Sequence, residues 1–231
     1  PKKAYFIAFR NLSSSPSESF SESLLIRIPL SHDVRNEVQI VQGYLELLKD
    51  MNPSERAEKY LNNAVKATQD EIRIIEKVRK LRGIGDERVR KFSLDAVLGS
   101  IAANKEPQAS EKGIELEIEY SEYEVLGGKL LEELFSNLIE NSIQHSKGSK
   151  IRVSVEKSED EIIVKVEEDG KGIFDENKKK IFEKGFKNSE TGGSGLGLFL
   201  VKEIAESYRG SVEAKDSELG GARFDVHLKK A

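Results

Sequence analysis

Two runs of apolar side chains at helical spacing, split by an Asn-Pro turn, restrict the segment from Leu30 to Gly83 to a pair of helices. In the first run Leu30, Val34, Val38, Val41, Leu45 and Leu48 recur every three or four residues. At the helical period they fall in a stripe roughly 80° wide, which predicts one buried face. Asn52-Pro53-Ser54-Glu55 supplies a helix start, with Asn52 as N-cap, Pro53 in the first turn and Glu55 able to reach back. Leu61, Val65, Thr68, Ile72 and Ile75 then repeat the pattern until Gly83 and Gly85 stop it. Two such helices joined by a few residues form an antiparallel hairpin. A lone hairpin buries too little apolar surface to persist, so the expectation is a homodimer closing a four-helix bundle.

Beyond residue 90 the pattern becomes mixed. Leu94–Ala109 and Lys129–His145 read as helices, as does the segment running up to Tyr208. Ile114–Ile118, Ile151–Glu156, Ile162–Val166, Ser211–Lys215 and Ala222–Leu228 read as strands. The expected fold class is α+β: the hairpin at 21–85, then an α/β sandwich at 90–231 with helices on one face of a mixed or antiparallel sheet. A glycine-punctuated loop at about 174–194 is too long for a simple connection and reads as a lid. Residues 1–20 read as a short strand, Ala4–Phe9, followed by a serine-rich linker.

Composition removes several classes of function. The chain has no cysteine, which excludes disulfides, thiolate zinc sites and thiol nucleophiles. Its net charge of −4 argues against nucleic acid as a partner. No apolar run approaches the roughly 20 residues that span a bilayer. The expectation is a cytoplasmic chain, excised from a longer protein because it starts at Pro1, with any membrane attachment made through segments it does not contain.

Three groups of residues carry potential chemistry. His32 lies about 160° from Val34 on the helical wheel and projects from the face opposite the stripe. Asn36 shares that face one turn on, and Asp33 is close enough to hold the ring's Nδ1–H, leaving Nε2 as nucleophile. An ordinary surface histidine fits the same wheel. Glu168-Asp169-Gly170-Lys171-Gly172-Ile173 follows a strand, and Gly193-Ser194-Gly195-Leu196-Gly197 opens a helix. Glycines there let backbone amides approach an anion. Neither cluster is a Walker loop or a dinucleotide fingerprint, and glycine-rich turns also occur without ligands. Finally, Asn137, Asn141 and His145 share one helix face, where two amide oxygens four residues apart suit Mg²⁺ as well as they suit a solvated surface.

Together these segments resemble the sensor histidine kinases over about residues 21–231. Leu30-Ser31-His32-Asp33-Val34-Arg35-Asn36 resembles the phosphoacceptor box of the dimerisation domain, and Asn137–His145 the asparagine box of the ATP-binding domain. Glu168–Ile173, Gly193–Leu198 and Gly220–Phe224 resemble its glycine boxes, and Ile181–Phe186 its phenylalanine box. Residues 3–12 resemble the closing strand of a PAS sensor domain. The resemblance implies a Bergerat-type ATP domain, of the kind shared with gyrase and Hsp90. Mg²⁺-ATP would be held by Asn137, Asn141, His145, Glu168, Asp169, Gly170, Gly172, Gly193, Gly195, Leu196 and Gly197, with the metal near Asn141 and Asn137. It further implies phosphorylation of His32, assisted by Asp33, and transfer to an aspartate of a response regulator. Asn36 occupies the position that serves a phosphatase reaction.

The chain departs from the family pattern at several points. Glu37 replaces the usual proline after the Asn36 position. Glu168 stands where the adenine-reading aspartate is normal, with Asp169 beside it as a substitute reader. Gln144 stands where a phosphate-contacting lysine is common. These departures keep other readings open: a scaffold that binds nucleotide poorly, a phosphatase-dominant homologue, or a related ATPase that does not use His32.

Overall fold

The computed structural model describes residues 30–85, 87–186 and 195–231, without the side chains of residues 30–34 and 82. The strand and linker expected at 1–20 lie outside the described residues. The chain divides into two compact units, Pro1–Thr68 and Gln69–Ala231. The division falls inside the second helix, whereas the sequence pattern suggests a break at 85–90. Beyond Thr68 that helix is packed on the second unit: Leu81, and Ile84 just past its end, lie against the core, and Lys80 pairs with Glu133.

In the first unit, α1 spans Leu30–Asp50. Helix α2, Glu55–Gly83, begins there and continues into the second unit. Capping differs from expectation. The Ala57 amide donates to Ser54 Oγ at 3.4 Å, so Ser54 caps α2, while Asn52 turns the chain with φ of 51°. The stripe expected to be buried is not covered within one chain, since Val41 is 49% and Leu48 48% exposed. Ile40, Tyr44 and Leu47 form a second exposed apolar stripe on α1, continued by Met51 just past its end. The two stripes together subtend roughly 180°, more than one partner helix covers.

The second unit is built from β1 (Arg90–Ser93), α3 (Leu94–Glu111), β2 (Glu115–Ile118), β3 (Glu124–Gly127), α4 (Leu130–His145), β4 (Lys150–Lys157), β5 (Glu161–Glu168), α5 (Gly197–Ser207), β6 (Ser211–Asp216) and β7 (Ala222–Lys229). The main sheet runs β2-β4-β5-β7-β6, with β2 parallel to β4 and every other pair antiparallel. Alternation sets its faces. Ile151 and Val153 of β4, Ile162, Val164 and Val166 of β5, and Phe224, Val226 and Leu228 of β7 are buried with the apolar faces of α3, α4 and α5. Lys165, pairing with Glu156, points the other way. Full burial of one such side chain is worth ~1.5–3 kcal/mol. Phe135, at 0% exposure in α4, is where truncation to alanine costs most, about 3–5 kcal/mol.

Two four-residue strands were not legible beforehand. β1 and β3 pair antiparallel, with Phe92 opposite Val125, as a separate small sheet. The loop expected as a lid at about 174–194 is packed on the core in part of its described half. Lys180–Phe182 forms a 3₁₀ turn with Ile181 and Phe182 buried, and Phe182 meets Phe224 edge-on at 6.4 Å. The Gly185 amide donates to Gly195 O at 3.1 Å and ties the ends of the 186–194 segment together.

Candidate functional site

α4 sets the site because its two faces differ in chemistry. Leu131, Leu134, Phe135, Leu138 and Ile139 anchor it in the core, which fixes the direction of Asn137 and Asn141. Asn137 is 5% exposed, and its Nδ2 donates to Glu133 O at 2.8 Å and Glu133 Oε1 at 2.9 Å. Both donors are thus spent, and Oδ1 is left to face Gly197, the first residue of α5. A methyl group placed on Gly197 would lie 3.4 Å from Asn137 Oδ1, 3.7 Å from Asn141 Oδ1 and 3.4 Å from Lys77 Nζ. Asn141 Nδ2 is buried and has no partner among the described residues.

One corner therefore collects two amide oxygens, an unmatched amide, an ammonium and a helix N-terminus. The amide oxygens suit a divalent cation whose other ligands are water and phosphate, and the start of α5 suits an anion. Among the described residues, no group of three His, Cys, Asp or Glu side chains could hold a metal by itself.

The first glycine loop packs on the end of α4, where the Lys171 amide donates to Ser146 O at 3.0 Å. A Cβ at Gly170 would come within 2.0 Å of Ser146 O, so only glycine permits this approach. Glu168, 3% exposed, accepts from the Ala222 amide at 2.7 Å through Oε1 and from the Gly170 amide through Oε2. Burial pushes its pKa up despite these bonds. Asp169 accepts from the Ser149 and Lys150 amides at 2.7 and 2.8 Å and from the Ser149 hydroxyl at 2.7 Å. Those bonds, the Ser149 hydroxyl first, hold its carboxyl below the usual aspartate range. Asp169 thus braces the start of β4.

His145, half-buried, has its pKa lowered by burial and then by the charges of Lys171 and Lys112, with Lys77 a smaller contributor. This end of the site is electropositive although position 144 lacks a lysine. Gln144 donates instead to Glu140 Oε1 at 2.8 Å. Gly172 has φ of +68° and Gly195 of +67°, and Leu196 directly precedes α5. Gly193 lies outside the described residues. His32 and Asp33 occupy the first turn of α1 with side chains outside the described set, and Asn36 is exposed on the same helix.

Sequence reasoning missed Lys77. Its one signal is position: three residues after Ile74 and four before Leu81, it interrupts the apolar face of α2 with a cation.

Residues 128–231 match the model of the family described as histidine kinase-, DNA gyrase B-, and HSP90-like ATPase. The chain is 27% identical over 218 residues to the sensor protein SrrB of Staphylococcus aureus strain N315, covering 87% of this chain and 37% of the relative. It therefore spans just over a third of the length of that curated relative. Among solved structures, full-length ShkA in complex with AMPPNP is similar with a TM-score of 0.70 and 21% identity, over 87% of this chain and 45% of that one. The Acinetobacter baumannii histidine kinase AdeS is similar with a TM-score of 0.61 and 24% identity, over 86% and 97%. At these identities the two structures speak for the fold.

Proposed function

Because residues 128–231 belong to the histidine kinase-, DNA gyrase B-, and HSP90-like ATPase family, we propose that this chain is the kinase core of a two-component sensor, phosphorylating itself on His32 with Mg²⁺-ATP. The observation that carries the reading is the corner where the Asn137 and Asn141 amide oxygens meet the N-terminus of α5, close beside Lys77. Mg²⁺ would be held there by Asn137 and Asn141 and would neutralise charge on the triphosphate. The start of α5 with Gly195 and Leu196, the Gly170–Gly172 loop and His145 would surround the nucleotide, and Gly193 would belong to the same loop region.

Of the two acidic candidates, Glu168 is the better adenine reader. It is buried between the two glycine loops, bonded to the Ala222 and Gly170 amides with Gly172 adding a third backbone contact, whereas Asp169 is turned onto Ser149 and Lys150 at the start of β4.

In the reaction, Nε2 of His32 attacks the γ-phosphorus as the bond to the ADP oxygen breaks, and Asp33 holds the opposite ring N–H. Positioning and charge compensation supply the rest of the rate. The phosphoryl group then passes to a response-regulator aspartate. Asn36 orients water when the phosphorylated regulator is hydrolysed. The exposed apolar stripes of α1 support a homodimer through the hairpin. The same commitment of Glu168 to Gly170 and Ala222 favours, as a second reading, a scaffold or phosphatase with weak nucleotide affinity.

Incubation with γ-³²P-labelled ATP and Mg²⁺, comparing wild type with His32→Gln, separates these readings. Acid-labile label present only in the wild type supports the kinase. Label retained in the variant refutes His32 as acceptor, and no label in either folded protein favours the second reading.

A further inference from the structure

Lys77 is not part of any motif of the ATP domain; it lies near the end of α2, within the same compact unit as the nucleotide corner. Its ammonium reaches the methyl-sized space on Gly197 that the Asn137 and Asn141 oxygens also border. Burial lowers the Lys77 pKa and the charges of Glu140 and Glu133 oppose that, yet both carboxylates are bonded elsewhere. Glu140 binds Lys105 at 3.2 Å and receives Gln144, while Glu133 holds Lys80 and the Asn137 amide. Among the described residues no carboxylate forms an ion pair with Lys77.

Lys77 is partly withdrawn from water, and a cation so placed without an ion-pair partner carries a cost that an anionic ligand would offset. Three of the surrounding features favour an anion: the first turn of α5, the orphaned Asn141 Nδ2, and the lysines around His145.

We infer that Lys77 is a phosphate-binding residue of the nucleotide site, delivered by the hairpin's second helix and supplying the charge that Gln144 does not. The inference rests on the nucleotide-site reading above. It deepens that reading by assigning a contact to the β- or γ-phosphate from outside the family-matched segment at 128–231. A lysine beside a metal-bound triphosphate meets a ligand that stays net negative, so the two cations act together. Carrying this cation on α2 also links phosphate binding to the placement of that helix: what holds the last turns of α2 against α4 strengthens triphosphate binding, and the reverse holds equally.

The test is calorimetric titration of the full chain, wild type, Lys77→Met and Lys77→Arg, with adenylyl imidodiphosphate and separately with adenosine, in Mg²⁺ and in EDTA. Loss of one charge-assisted contact should weaken the triphosphate analogue about tenfold in Lys77→Met. Lys77→Arg should retain most of the affinity, and adenosine binding should match wild type in both variants. A merely structural role would weaken adenosine and analogue alike and would overturn the inference. So would unchanged analogue affinity in Lys77→Met. Tighter binding confined to Mg²⁺ would overturn it too, showing that the ammonium only competes with the metal. If wild type binds the analogue, such results defeat this inference alone. If wild type binds no nucleotide, the site reading fails and takes the inference with it.

Discussion

Replacing Glu168 by glutamine tests whether its carboxylate braces the two glycine loops. In the wild type one carboxylate spans them, taking the Ala222 amide on Oε1 at 2.7 Å and the Gly170 amide on Oε2. Glutamine keeps the length but offers a single oxygen. If that oxygen stays on Ala222, the new NH₂ confronts the Gly170 N–H, and one donor loses its acceptor. A buried unsatisfied donor costs about 1–3 kcal/mol. Removing a charge that burial disfavours offsets part of this, so a net loss of about 1–2 kcal/mol is expected. For a unit the size of 69–231 that corresponds to a melting point lower by about 2–8 °C.

The pH dependence carries a sign. Burial raises the pKa of Glu168, so its contribution to stability is complete below the ordinary glutamate value and fades as pH rises through the folded value. Glutamine removes that slope, and the gap between the two proteins should narrow as pH rises. Thermal unfolding followed by circular dichroism, with hydrogen exchange at the Gly170 amide, reads both effects. A variant melting within a degree of wild type, with Gly170 equally protected, would refute the bracing role.

Three further outcomes follow from the same geometry. Asn141→Ala removes one of the two amide oxygens beside Gly197. Affinity for the Mg²⁺-nucleotide should fall roughly tenfold or more by calorimetry while binding in EDTA changes less; equal losses in both buffers would argue against metal contact. Asp169→Asn should flatten the acid limb of stability. The Asp169 carboxyl is held low by Ser149 and Lys150, so its contribution is present above the ordinary aspartate range and is lost as pH falls through the folded value. Acid titration of wild type and variant should show this, and parallel curves would contradict it. Tyr44→Glu combined with Leu47→Glu places charges on the exposed stripe of α1 and should convert a dimer into a monomer in sedimentation equilibrium; wild type that is already monomeric at micromolar concentration would dispose of the hairpin interface.

The legible parts of the fold were those whose signal is local. β4 and β5 alternate cleanly between core and solvent side chains over eight residues each, and α4 carries an uninterrupted apolar stripe. β1 and β3 were missed because four residues are too few for a period. Their strand geometry comes from pairing Phe92 with Val125 across more than thirty residues of chain. The packing within the first half of the expected lid was illegible for a related reason. Lysines flank Ile181 and Phe182 in sequence, and it is tertiary packing, on α5 and, for Phe182, on Phe224, that gives those two a core to enter.

Motif positions in the candidate site were equally local, yet its charge was not. Counting along the asparagine helix finds a missing cation at Gln144, which by itself argues for weak phosphate binding. Counting in space finds Lys77, sixty-seven residues earlier, with its ammonium at Gly197, and Lys112 and Lys171 raising the potential at His145. Electrostatic complementarity is a sum over distance and is indifferent to which element supplies each charge. A departure from a motif's charge pattern therefore weakens a functional reading only when the neighbouring elements do not restore the field. In this chain α2 places an ammonium that has no ion-pair partner among the described residues beside the position Gln144 leaves uncharged, which is why the Gln144 departure leaves the nucleotide reading standing.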